Sequence, residues 1–322
     1  MLSKCFKHLT IKVSCFLLSF MIIGILFCLS GCVQKKAKEE STTKEEIVTV
    51  PEKIYYPFDE SALLNILESA NADNLSTFGE SFINIEALEN IQSEIDALEN
   101  QNFSLGFITL DINRHFGLSY NTNWQTTSQS TIKAPYACSL LDAHPELYEE
   151  YKDVINPMIK FSDNESYEQI LRPIFGIDYM LAWCQRCNVT ENIAWADYPR
   201  DITVRDMAKF WVLIYELLNS DRVTNEFKDL FNDSAFSSIY LKLSDKYNIQ
   251  SKAGWEYNNS LEYVDKNPIN DEAATNDAGI IYAEAGPYIL VIYTDVIADS
   301  QTLSPIIGAI DEVMSSAPIY KQ

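Results

Sequence analysis

Ser130-Thr131-Ile132-Lys133 places a serine and a lysine three residues apart at the start of a helix predicted over about 130–142. Positions i and i+3 share a helix face, so the lysine amine can reach the serine hydroxyl. A nucleophilic serine needs a base, and histidine offers little here. Beyond the first thirty-odd residues the histidines are His115 and His144, both beside turn-like or polar residues. Lysine is the remaining candidate, provided that burial and a nearby second cation bring its pKa toward neutrality. The spacing alone says little, because Ser41-Thr42-Thr43-Lys44 repeats it in a stretch with too few apolar residues to fold.

The surroundings of Ser130 give it a setting. Residues 106–113 and 116–120 are strand-like runs joined by a short polar turn, a hairpin pattern. Helical spacing recurs near 130–142, 146–159, 164–174, 177–187 and 203–219, with turn residues such as Gly176 and Pro199 between. Strands return at 248–255, 278–284 and 288–294, the last two joined at Gly286-Pro287, before a final helix near 303–315. Two further helical patterns precede the hairpin: residues 58–72, with Leu63, Leu64, Ile66 and Leu67, and residues 85–98, with Leu88, Ile91, Ile95 and Leu98. The pattern predicts an α+β fold, one antiparallel sheet of five strands flanked by terminal helices, with an all-helical lobe inserted and a cleft between them.

Two more motifs follow in order. Ser162-Asp163-Asn164 lies in the helical block, and Lys252-Ala253-Gly254 on a predicted strand. With Ser130-Thr131-Ile132-Lys133, this set resembles the serine β-lactamase and penicillin-binding protein superfamily, most closely the class A β-lactamases, whose signature is S-x-x-K, S-D-N and K-T-G. Gly106-Phe107-Ile108-Thr109-Leu110-Asp111, Ser119-Tyr120-Asn121, Arg200-Asp201-Ile202-Thr203, Asp277-Ala278-Gly279-Ile280-Ile281 and Gly286-Pro287-Tyr288-Ile289-Leu290 are also similar to that family's segments. The likeness covers roughly residues 85–318 and implies a catalytic domain over 85–322, with residues 51–84 as a helical N-terminal extension.

The resemblance implies that Ser130 is the acylated nucleophile and Lys133 its base or base partner. It gives Ser162 a proton relay to the leaving nitrogen, Asn164 the substrate's side-chain amide, and Lys252 a substrate carboxylate together with depression of the Lys133 pKa. The strand residues Ala253, Gly254 and Trp255 line the substrate, and the backbone amides of Ser130 and Trp255 form an oxyanion hole. The substrate implied is a β-lactam, or a D-Ala-D-Ala-type peptide if the enzyme is closer to a DD-peptidase. A penicillin-binding sensor that keeps the fold without turnover is a third reading. No metal or organic cofactor is implied, and a monomer is expected.

The chain departs from class A at three places. The omega-loop E-x-x-L-N, whose Glu activates the deacylating water, is missing: counting back from Arg200-Asp201 puts Asn188 and Asn192 on its Glu and Asn. Glu191 is the nearby carboxylate that could substitute, with Asp197 further along. Without a base, deacylation is expected to slow by about 10²- to 10⁴-fold. Ala253 removes the hydroxyl of K-T-G, and Ser130 to Ser162 spans only 32 residues, a trimmed lobe.

The first residues carry an address rather than fold. Lys4, Lys7 and Lys12 precede an apolar run over 13–29 and then Leu29-Ser30-Gly31-Cys32. That ending resembles the bacterial lipobox, which implies removal of residues 1–31 and lipidation of Cys32; an uncleaved anchor is the alternative. Residues 32–50 read as a flexible tether. Either way the body lies outside the cytoplasm, held at the membrane.

The chain of 322 residues is 47% hydrophobic and carries 24 basic against 46 acidic residues, a net charge of −22. Loss of the three leader lysines leaves 21 against 46, or −25. Such acidity excludes nucleic acid as a main partner. Cys138, Cys184 and Cys187 remain as an odd set of thiols. Cys184-Gln185-Arg186-Cys187 lacks a second half-site for zinc, leaving buried thiols or one local disulfide.

Overall fold

Apolar residues run without a break through Tyr288-Ile289-Leu290-Val291-Ile292-Tyr293, a pattern expected of a strand covered on both faces. In the computed structural model, which describes residues 56–79, 85–256, 274–296 and 299–316, this run is β6 (Gly286–Thr294), at the middle of a six-stranded antiparallel sheet. The other strands are β1 (Ser76–Gly79), β2 (Leu105–Asp111), β3 (Phe116–Tyr120), β4 (Asn248–Glu256) and β5 (Ala274–Ala283), in the order β1-β3-β2-β6-β5-β4. Side chains alternate across a strand. Ile289, Val291 and Tyr293 therefore enter one core, while Tyr288, Leu290 and Ile292 enter the other.

The helices are α1 (Glu60–Glu68), α2 (Ile85–Glu99), α3 (Lys133–Ala143), α4 (Leu147–Lys160), α5 (Arg172–Phe175), α6 (Asp178–Arg186), α7 (Asn192–Trp195), α8 (Val204–Leu218), α9 (Asn225–Asp229), α10 (Ser238–Leu243) and α11 (Ser304–Ser316). Ile91 and Ile95 of α2, Ile239 and Leu243 of α10, and Ile306 and Ile310 of α11 fill the core on one sheet face. The other face packs on the helical block, centred on α8, whose Phe210, Trp211 and Ile214 are buried. Thr203 starts α8: its Oγ1 accepts from the Asp206 amide at 3.1 Å, satisfying a donor that the first helical turn leaves unpaired. A 3₁₀ turn (Gln129–Ile132) precedes α3, and a π-helical segment (Glu165–Leu171) precedes α5. Among the described residues no helix is long and apolar enough to cross a membrane.

The sheet has six strands where five were expected. The sixth, β1, lies on the outer side of β3, where Phe78 pairs with Gly117. A Cβ on Gly117 would stand 2.4 Å from the Phe78 ring and 1.9 Å from Thr109 O, so the absent side chain is what admits the extra strand. The described part of the expected helical extension, residues 56–79, is thus not simply helical: α1 buries Leu63 and Leu67, and β1 extends the sheet. The extension is also tied by charge, with Arg186 Nε donating to Glu60 Oε1 at 2.8 Å and the buried Lys209 amine to Glu68 Oε1. Residues 1–31, Cys32 and the tether 32–50 lie outside the described residues.

Cys138, Cys184 and Cys187 are buried free thiols, so the local disulfide does not form. Burial pushes the Cys184 and Cys187 thiols up to about 12, which keeps them protonated and unreactive.

Candidate active site

The serine stands at a constrained backbone corner. Gln129 before it has φ of 47°, an uncommon value for a side-chain-bearing residue. Three contacts hold the corner: the Ser128 amide donates to Pro199 O at 2.8 Å, Asn276 Nδ2 to Thr127 O at 2.7 Å, and Thr131 Oγ1 to Ser128 O at 2.6 Å. The edge strand β4 runs against this corner. A Cβ built on Gly254 would stand 2.6 Å from Ser130 N and 2.7 Å from Thr131 N, so glycine is the residue that lets β4 close on the serine. An edge strand turns alternate N–H groups away from its sheet.

Lys133 and Lys252 are both fully buried and meet at Ser162. The Lys133 amine donates to Ser162 O at 2.7 Å and to Asn164 Oδ1. The Lys252 amine donates to Ser162 Oγ and to Ala253 O, each at 2.9 Å. Ser162 itself has φ of 63°, the conformation that turns its carbonyl and its hydroxyl to two different lysines. Asn164 Oδ1 accepts from Tyr198 OH at 3.0 Å as well. A lysine ammonium can only donate, so these partners fix the amide oxygen inward and leave Asn164 Nδ2 to donate elsewhere.

Burial holds the Lys133 amine down to about 8, against a partial offset from the Glu168 and Asp163 carboxylates. Burial also lowers Lys252, to about 7, with the Lys133 ammonium adding to the effect and the Asp277 carboxylate opposing it. The depression of Lys133 thus comes from burial, and the coupling between the two amines lowers Lys252 rather than Lys133. Asp277 is itself buried and pushed up to about 6, although Ser237 Oγ donates to its Oδ2 at 2.7 Å and the Ile239 amide at 2.9 Å.

Lys133 does not hydrogen-bond to Ser130 in this arrangement, although the i, i+3 spacing allows it. A charged buried amine needs acceptors, and Ser162 O and Asn164 Oδ1 supply them. Ala253 is buried, and its carbonyl holds Lys252. Trp255 is half-buried at the end of the same strand. Glu191 does not join this group: it is exposed at the start of α7, and its Oε1 accepts from Gln185 Nε2 at 3.0 Å. Asp197 turns to Arg172, 2.8 Å away. The loop side chain that reaches the cluster is Tyr198. Lys133 Nζ lies 5.8 Å from both the Tyr167 and the Tyr198 ring centroids. Tyr167, Tyr198 and Glu168 belong to no motif, Tyr167 following Asn164 by one helical turn, while Asp277 opens the family-like segment Asp277-Ala278-Gly279-Ile280-Ile281, in which the resemblance assigns it no role.

Residues 142–314, over half of the chain, match the model of the β-lactamase enzyme family. The chain belongs to this family. The matched span holds Ser162, Asn164 and Lys252 and begins after Ser130. No curated protein matches the chain. Among solved β-lactamases, the TLA-3 extended-spectrum enzyme superposes with a TM-score of 0.55 at 16% identity, covering 71% of this chain and 99% of its own. The β-lactamase of Chitinophaga pinensis gives 0.51 at 15% identity, over 70% and 96%. That of Streptosporangium roseum gives 0.50 at 14%, over 72% and 99%. At such identities the likeness shows the β-lactamase fold, and the chemistry must come from the site.

Proposed function

We propose that this β-lactamase-family chain is a serine hydrolase that forms an acyl-Ser130 intermediate with β-lactams and releases it slowly. The observation that carries this is Ser162 bridging two buried lysines beside Ser130. In the neutral state Lys133 takes the Ser130 Oγ proton as Oγ bonds to the lactam carbonyl carbon. The amides of Ser130 and Trp255 receive the charge growing on the carbonyl oxygen. The C–N bond then breaks, and the nitrogen takes the Ser162 hydroxyl proton, which is replaced from the lysine pair that holds Ser162: Lys252 is the amine on the hydroxyl, and Lys133 carries the proton removed from Ser130. Asn164 Nδ2 holds the substrate's side-chain amide, and Lys252 its carboxylate.

Deacylation adds water to the ester, returning the Ser130 hydroxyl and releasing the acid. That water needs a base, and among the described residues the loop offers none: Glu191 and Asp197 are engaged by Gln185 and Arg172, and the carboxylates that act on Lys133 are Glu168 and Asp163 of the helical block. The same vacancy, with Ala253 in place of a hydroxyl residue, favours a D-Ala-D-Ala-type peptide as the second reading. The leader pattern adds that Cys32 is lipidated and holds the domain outside the cytoplasm. Labelling with a fluorescent penicillin tests the core of this: the chain should carry label through denaturation, and Ser130→Ala should carry none. Equal labelling of both would place the nucleophile elsewhere.

A further inference from the structure

A bulky side chain held at an outlying backbone conformation and left exposed is an observed strain from which a functional hypothesis can be argued. Phe161 is 67% exposed and Phe236 65% exposed. Phe161 directly precedes Ser162. Phe236 has φ of 60°, which is a true outlier for a bulky residue. Its neighbours enforce that conformation: the Ala235 amide donates to Lys160 O at 3.1 Å, and Ser237 Oγ to the buried Asp277 at 2.7 Å. The first of these bonds also ties the Phe236 loop to the end of α4, next to Phe161. The Phe236 ring lies 4.5 Å from the Trp255 ring, tilted by 44°. Trp255 follows Gly254, the glycine that closes on Ser130 N.

We propose that Phe161, Phe236 and Trp255 form an aromatic subsite for a neutral aryl group carried on the leaving-group half of the acyl donor. The side is set by neighbours: Trp255 shares β4 with Lys252, which takes the carboxylate, and Phe161 adjoins Ser162, which serves the leaving nitrogen. The ligand class is therefore a donor whose amine side of the scissile bond bears both a carboxylate and an aryl group, such as a cephalosporin with an aryl-vinyl substituent at C3, whose amine side stays tethered to the acyl group after the C–N bond opens. This deepens the proposed acyl-serine chemistry and rests on it.

The test compares acylation rates of the full chain by two cephalosporins with the same acyl side chain, one carrying styryl and the other methyl at C3. Mutation-induced change in the rate ratio cancels the difference in intrinsic reactivity. Phe236→Ala should lower the styryl-to-methyl ratio about tenfold, the worth of partly burying one ring, and Phe236→Tyr should preserve it. Both sites are exposed, so the fold is retained, and circular dichroism checks this. A ratio unmoved by both Phe236→Ala and Phe161→Ala overturns the subsite while leaving the acyl-serine reading intact. If neither compound acylates the chain, that reading falls. The subsite is then decided by tryptophan fluorescence of the Ser130→Ala chain: quenching by the styryl compound that Phe236→Ala removes supports it, and no quenching overturns it.

Discussion

Ser162 is the residue on which the site is assembled, since its carbonyl receives Lys133 and its hydroxyl receives Lys252. Two ammonium groups in one buried cluster titrate as a pair, so the protons leave between about pH 7 and 8. On the proposed chemistry acylation needs Lys133 neutral and Lys252 charged for the carboxylate, so the rate should peak where the pair holds one proton, between about pH 7 and 8; a rate flat from pH 6 to 9 would remove the lysine as base. Stability carries the same signature. Lysines titrate near 10.4 in an unfolded chain, so between about 7 and 10 the unfolded state holds protons that the native pair has lost, and stability rises with pH. Thermal midpoints at pH 7 and 9, compared with Lys133→Met and Lys252→Met, measure this. Gly254→Ala puts a carbon 2.6 Å from Ser130 N. It should cost about 1–3 kcal/mol of stability and slow acylation, and unchanged acylation would mean that β4 does not shape the oxyanion hole. The three motifs were legible because each is a fixed spacing on one local element. Tyr198 was not, because nothing local distinguishes a loop tyrosine until the chain brings it to the motif asparagine, and Asp277 was legible only as the head of a family-like strand, not as the carboxylate that opposes the lowering of Lys252.

The elements themselves were read from periodicity, and the helices α3 to α6 and α8 and the strands β2 to β6 formed near where it placed them, although β5 starts four residues earlier than expected, at Ala274, and the short α7, α9 and α10 were not foreseen. β1 escaped for a physical reason. A four-residue strand of Ser76-Thr77-Phe78-Gly79 carries no sustained alternation, and its formation depends on a distant vacancy above Gly117. Strand pairing of this kind is set by tertiary packing more than by propensity. The extension is accordingly part of the fold: Leu67 of α1 is fully buried in the core shared with α8. Leu67→Ala should lower stability by about 2–5 kcal/mol in denaturant melts; a loss under 1 kcal/mol would make α1 an appendage.

At the scale of the whole molecule, the β-lactamase fold is kept while the loop from α6 to α8 has changed its contribution. It sends Tyr198 to the motif asparagine, and its acids Glu191 and Asp197 bond elsewhere. On the proposed acyl-serine chemistry, such a site would acylate readily and release slowly. The most direct measurement is intact-mass spectrometry of the full chain over time after a pulse of benzylpenicillin, beside Ser130→Ala. The account predicts an added mass of one penicillin that persists long after free drug is removed and never appears in the variant. Rapid drug loss with no lasting adduct, or an adduct that survives Ser130→Ala, would contradict it.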